Sequence, residues 1–303
     1  MPFLIIIYAT SSFGCRVGGK LCSSAMEGES KASYGYYYII HSLASCIFFV
    51  ISGGFSVSVN LVTLLFSLAL AATILLGMLV SMLSLRYMNV LGAGLLTTPL
   101  NLLLITVFGI IIWDEESSLS TWLKILVTSL SAFLIFFDVR ASERKRGNKS
   151  RSQNGSVDLK KFIPLMLFSA LLGVIQTLLT KAFAVSDEVA NEHSFYLLTN
   201  LVMLLLGAVI VLVNAAKDRS SIRDGLSFFK AKRVLSTVGN VVISNINTLA
   251  TVPLMAAIDI SLFSPLSSAY GILIGVVVSL FFREKLGIFS YLAAAVAILA
   301  IFI

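Results

Sequence analysis

Five polar side chains recur along one otherwise apolar stretch, VLSTVGNVVISNINTLATVPLM (234–255): Asn240, Ser244, Asn247, Thr248 and Thr251, with Asn245 beside them. Their spacing puts the five on one face of a helix. Carboxamides and hydroxyls donate and accept hydrogen bonds but supply neither a strong acid nor a base near neutral pH. The chemistry they offer is recognition, not turnover. Two roles fit them: bonds between helices, worth ~0.6–2 kcal/mol each, or a wetted surface that touches a solute.

Smaller polar sets lie in other apolar runs. Tyr34, Tyr38, His41 and Ser45 share a face at i, i+4, i+7 and i+11, where flat apolar bodies with polar tips suit an amphipathic ligand. His41 has an ordinary pKa of about 6.5, which opens a role in proton movement. Tyr8, Ser12, Gln176, Ser264, Ser268 and Tyr270 complete the inventory. The candidate substrate-binding set is Tyr8, Ser12, Tyr38, His41, Gln176, Asn240, Ser244, Asn247, Ser268 and Tyr270.

Catalytic motifs are missing from the sequence. There is no G-x-S-x-G elbow and no H-E-x-x-H. GCRVGGK (14–20) lacks the spacing of a phosphate loop. Cys15, Cys22 and Cys46 are odd in number and have no histidine at zinc-ligand spacing, so no metal or cofactor is expected. Glu115 and Glu284 stand at the ends of apolar runs, where a structural or gating role is expected rather than substrate binding.

The elements that must carry these residues are membrane helices. Of the 303 residues 58% are hydrophobic and only 12% charged, about half the charge of a soluble domain. Apolar runs long enough to cross a ~30 Å hydrocarbon core lie near 3–21, 34–53, 60–82, 87–112, 119–137, 161–183, 194–214, 234–257, 260–282 and 286–303. The basic, Ser/Asn/Gly-rich segment 139–160 reads as a linker between five spans (1–138) and five more (161–303). With ten spans, 20 of the 22 Lys and Arg share one face and only Lys124 and Lys181 fall opposite. The positive-inside rule then puts the linker in the cytoplasm and both termini outside. Arg16 and Lys20 follow the first apolar run instead of preceding it, the reverse of a signal peptide. The basic clusters carry no interleaved aromatics, which argues against nucleic acid.

The second half repeats the first. A shift of 161 brings Tyr8, Ser12, Cys15, Gly19 and Lys20 onto Ser169, Gly173, Gln176, Thr180 and Lys181. A shift of 169 brings TTPLNLLLITVFGIIIWDE (97–115) onto LSSAYGILIGVVVSLFFRE (266–284). Each half has five spans, so the halves enter the membrane from opposite sides. The expected class is an all-α polytopic membrane protein, ten transmembrane helices as a 5+5 inverted repeat, a plan associated with alternating access.

These residues carry a family resemblance. The five-plus-five plan, S-L-R-Y-M (84–88), the Pro99 and Pro265 regions, F-F-R-E-K-L (281–286) and Lys20/Lys181 resemble the EamA-like members of the drug/metabolite transporter superfamily. The resemblance implies a central cavity lined by spans one to four and six to nine, with spans five and ten peripheral. It also implies cytoplasmic termini and a basic second loop, whereas SGGFSVSVN (52–60) is uncharged and the charge split points the other way. The expected function is secondary transport of a small neutral or zwitterionic metabolite, amino-acid-like by best guess. No carboxylate sits at mid-span to hold a cation. An organic-cation exporter is the runner-up, and an intramembrane enzyme the rival class. Expected partners are a small-molecule substrate and the lipid bilayer of the cell membrane; a homodimer stays open.

Overall fold

The computed structural model describes residues 2–25, 31–84, 90–116, 118–147, 159–186, 191–217, 229–283 and 286–303. Among them are ten α-helices and no strand: α1 (Pro2–Ala25), α2 (Lys31–Ser52), α3 (Leu61–Ser84), α4 (Val90–Trp113), α5 (Leu119–Gly147), α6 (Leu159–Ala184), α7 (Glu192–Lys217), α8 (Ala231–Ala257), α9 (Ile260–Phe281) and α10 (Ile288–Phe302). Each coincides with one expected apolar run. The largest difference is α5, which continues through Gly147 into the segment read as a linker. The remainder of that linker up to residue 158, most of S-L-R-Y-M, Glu284, and the side chains of Lys20 and Tyr34 lie outside the described residues.

Among the described residues five stretches are long and apolar enough to cross a membrane: Gly35–Ser52, Leu167–Ala184, Glu192–Ala216, Ala231–Ala257 and Ile260–Phe281. Large apolar side chains on these and other helices point outward, among them Leu126, Leu205 and Leu212, each more than 60% exposed. Such faces suit lipid, where a helix also satisfies its own backbone. The protein is an α-helical membrane protein.

Helix limits follow from local chemistry. Asn60, Ser118 and Asn191 cap α3, α5 and α7, accepting the amides of Thr63 (2.7 Å), Thr121 (3.2 Å) and Ser194 (2.8 Å). Each cap satisfies one amide that the first turn leaves without a helical partner. Two helices end differently: α4 stops where Asp114 takes φ +50°, and α9 stops shortly before Arg283 at φ +54°. Neither is glycine, so both turns carry some backbone strain.

The contacts gather into two compact units, and each draws helices from both sequence halves. The first comprises Met1–Ala72 and Ala182–Leu254; the second comprises Thr73–Lys181 and Met255–Ile303.

In the first unit α2 packs along α7. Small residues permit the approach: a Cβ at Gly35 would sit 2.8 Å from Val211, and one at Gly207 would sit 3.6 Å from Ile39. Aromatic rings join the helices, Phe49 of α2 stacking on Tyr196 of α7 at 5.5 Å and Phe183 of α6 on Phe195 of α7 at 3.9 Å. Ser67 donates to the Phe195 carbonyl at 3.0 Å. In apolar solvent, close packing and such bonds replace the hydrophobic effect as the force between helices.

In the second unit α5 packs along α10, α4 against α9, and each of α4 and α9 against its following helix. Ala132, Ala269, Ile272, Ala297 and Ala300 form one buried cluster, small side chains that again bring backbones close. Ser131 donates to the Ala293 carbonyl at 2.7 Å. Asp138 accepts the Gly287 amide at 2.9 Å and the Ser290 hydroxyl, capping α10. Half of the α9 span is buried inside the protein, against 28% for α7, so α9 is the more enclosed helix.

Candidate functional site

The polar stripe of α8 meets α1 in the first unit. Asn247 Nδ2 lies 2.7 Å from Ser12 Oγ, 3.0 Å from Ser11 Oγ and 3.2 Å from the Tyr8 carbonyl. One turn earlier in α8, Ser244 meets Cys15. A Cβ at Gly14 would lie 2.8 Å from Ile243, and one at Gly18 would lie 2.7 Å from Asn240 Oδ1. The two helices therefore run antiparallel, α1 residues rising as their α8 partners fall. The glycines leave the space that Ile243 and Asn240 fill.

The stripe divides its hydrogen-bonding capacity unevenly. Thr248 and Thr251 turn their hydroxyls back to the carbonyls of Ser244 (3.0 Å) and Asn247 (2.8 Å), as mid-helix threonines do. Asn245 is buried and faces α2, donating to Ser45 Oγ at 3.2 Å. Asn240 keeps a buried Oδ1 with no hydrogen-bond partner. A buried acceptor left unmade costs about 1–3 kcal/mol, so Asn240 is the member of the stripe with capacity for a ligand.

Of the sequence candidates, Tyr8, Ser12, Asn240, Ser244 and Asn247 come together on this seam. Tyr38 and His41 occupy α2 of the same unit. Tyr38 Cβ lies beside Gly207 of α7, and the His41 ring is 5.8 Å from Tyr37. Gln176, Ser268 and Tyr270 belong to the second unit. There Gln176 lies against α3, its Nε2 3.3 Å from where a Gly77 Cβ would be; Ser268 and Tyr270 are partly buried on α9. Ser11 went unselected, although its adjacency to Ser12 was a usable signal. Asn101 was missed as well: its Oδ1 is buried and unpartnered, and its Nδ2 faces Gly173. The 169-residue shift that aligns it with Tyr270 could have found it.

A second polar centre stands at the ends of α4 and α6. Lys181 Nζ donates to the carbonyls of Met255 (2.6 Å) and Ile258 (2.9 Å). Glu115 accepts the amides of Ile260 (2.7 Å) and Ser261 (2.8 Å). The ammonium and carboxylate are 3.7 Å apart and both are buried. Charge signs match the helix dipoles, a cation at the C-terminus of α8 and an anion at the N-terminus of α9. Lys181, one of two exceptions to the charge split, is thus a buried paired group and not a loop cation.

Among the described residues no group of three or more His, Cys, Asp or Glu is placed to hold a metal ion. Cys15 and Cys46 are free thiols.

No protein-family model matches the chain, and no curated protein matches it in sequence. Its architecture nevertheless recurs, since 27 chains of solved structure match it. One, described only as the crystal structure of a protein, aligns with a TM-score of 0.69 over 98% of this chain and 96% of its own, at 14% identity. At that identity the likeness speaks for the fold alone, and function has to be argued from residues.

Proposed function

We propose that the protein is a secondary transporter of ten membrane-spanning helices, a five-plus-five inverted repeat, that moves a small neutral or zwitterionic metabolite by alternating access. The observation that carries this reading is the pairing pattern. α2 packs along α7, α4 against α9 and α5 along α10, each helix with the one five places later. Two copies of a five-helix unit related by a pseudo-two-fold axis bring equivalent helices together in this way. The left-handed residues Asp114 and Arg283 support it too, because they stand at matching positions under the 169-residue shift. The likeness to EamA-like drug/metabolite transporters in plan and motifs points the same way.

The substrate class follows from the side chains on offer. Asn240, Ser244 and Tyr8 of the first unit present amide, hydroxyl and carbonyl-type groups, and no carboxylate stands among them. These suit a polar solute of no net charge, such as an amino-acid-like compound. The charge distribution favours a cytoplasmic linker and a cell-membrane location.

A thermal-stability screen over amino acids, other metabolites and organic cations finds the binder, because a specific ligand raises stability as RT ln(1 + [L]/Kd). Uptake into reconstituted vesicles is then compared for matched neutral, zwitterionic and cationic solutes. Preference for the zwitterion or the neutral solute is the expected result. Preference for quaternary ammonium compounds would replace this reading with the organic-cation exporter. The edge-to-face rings of Tyr37 and Tyr38, 5.1 Å apart, are the observation in its favour.

A further inference from the structure

We infer that Glu115 and Lys181 form a releasable latch on the α8–α9 junction, closed in this conformation and open in another state of the transport cycle. The inference rests on the alternating-access reading above.

Several features set the pair apart from a static ion pair. Its strongest bonds run to the backbone: four hydrogen bonds of 2.6–2.9 Å reach one carbonyl in the last turn of α8, one just past its end and the first two amides of α9. The charges themselves stand 3.7 Å apart, too far for a direct hydrogen bond. Two buried charges are a poor way to gain fixed stability, since apolar replacements commonly do as well or better. Directional bonds to a junction, in contrast, can be exchanged for water when the site opens. Asp114, at φ +50°, turns the chain so that Glu115 tucks back against Gly109 of its own helix. A Cβ at Gly109 would lie 2.8 Å from both Glu115 Oε2 and Ile260. Ser261 Oγ, on the residue whose amide Glu115 holds, is buried and unpartnered. Beneath the pair lies an apolar cluster of Ile105, Val174 and Ile260, which keeps water off the bonds while the latch is shut.

Each ion is matched to a helix end of opposite polarity, so the latch has a direction that an ordinary ion pair lacks. Hydrogen exchange in lipid nanodiscs reads the Ile260 and Ser261 amides directly. Peptides covering 258–263 are expected to exchange at least tenfold faster in Glu115→Gln than in the wild type, with α2 peptides unchanged. Gly109→Ala, which wedges the latch without altering charge, should do the same. Unchanged exchange at 258–263, or equal acceleration in α2, overturns the latch. The swap Glu115→Lys with Lys181→Glu should leave exchange fast, because it sets an ammonium against amides and a carboxylate against carbonyls. Restored protection overturns the polarity match.

Release is tested by tying α4 to α9. Ile105→Cys with Ile260→Cys, in a background with the native cysteines replaced by alanine, is bridged by mercuric ion. Bridging should stop vesicle uptake of the solute found by the stability screen, and dithiothreitol should restore it. Full uptake by the bridged protein overturns release. If the wild-type protein moves no solute, the transport reading fails instead, and the exchange data still decide whether Glu115 and Lys181 hold the α8–α9 junction.

Discussion

Asn247 of α8 donates its amide hydrogens to Ser12 Oγ of α1 at 2.7 Å, with Ser11 Oγ at 3.0 Å, whereas Asn240, two turns away on the same helix, leaves its Oδ1 unpartnered. Two asparagines of one stripe therefore have separable roles. Asn247→Leu should cost about 1–2 kcal/mol, the upper range for a membrane interhelical bond. Asn240→Leu should leave stability unchanged or slightly raised but abolish uptake. Thermal unfolding in detergent together with vesicle uptake checks both. Normal uptake by Asn240→Leu would remove it from the binding site.

The α1–α8 seam makes a prediction about glycines. A Cβ at Gly18 would meet Asn240 Oδ1 at 2.7 Å, whereas one at Gly19 would meet nothing within 4 Å. Gly18→Ala should therefore lower the unfolding midpoint. Gly19→Ala should keep or raise it, since alanine is the better helix former by about 1 kcal/mol. Equal effects of the two substitutions would mean that α1 does not lie on α8 in this register.

Asp138 holds the start of α10 through the Gly287 amide and the Ser290 hydroxyl. Asp138→Ala should cost about 1–2 kcal/mol, the scale of a lost N-terminal cap. Ser290→Ala should cost less, because the carboxylate keeps the amide. The double variant should be less destabilised than the two single effects added together. Additive losses in a double-mutant cycle of unfolding free energies would show that the two groups act independently.

Orientation follows from the charge split. A single cysteine at Ser152, in a cysteine-free background, should resist an impermeant maleimide on intact cells and react after permeabilisation. Labelling of intact cells would put the linker outside and overturn the orientation read from the charges.

Helix positions were legible because lipid demands apolar runs. α9 was expected at 260–282 and spans Ile260–Phe281. The end of α5 was not, because VRASERKRG (139–147) continues the helix on propensity and charge, properties that hydropathy does not register. The α8 stripe was visible in composition, but its bonding was not. Which asparagine faces α1, which faces α2 and which stays unpartnered depends on the neighbouring helices. Asp138 carried no sequence signal, since its partners stand 149 and 152 residues away. Glu115 was expected to be structural or gating, yet the two amides it holds could be identified only from the fold.

The bond between Ser45 of α2 and Asn245 of α8 joins residues 200 positions apart. At a synthesis rate of ~5–20 residues per second, α2 leaves the ribosome roughly 10–40 s before its carboxamide partner exists. Through that interval the Ser45 hydroxyl has to be satisfied by carbonyls of its own helix, by the insertion machinery or by temporary neighbours. A truncated nascent chain stopped before α8 should therefore remain associated with the translocon, and the complete chain should be released.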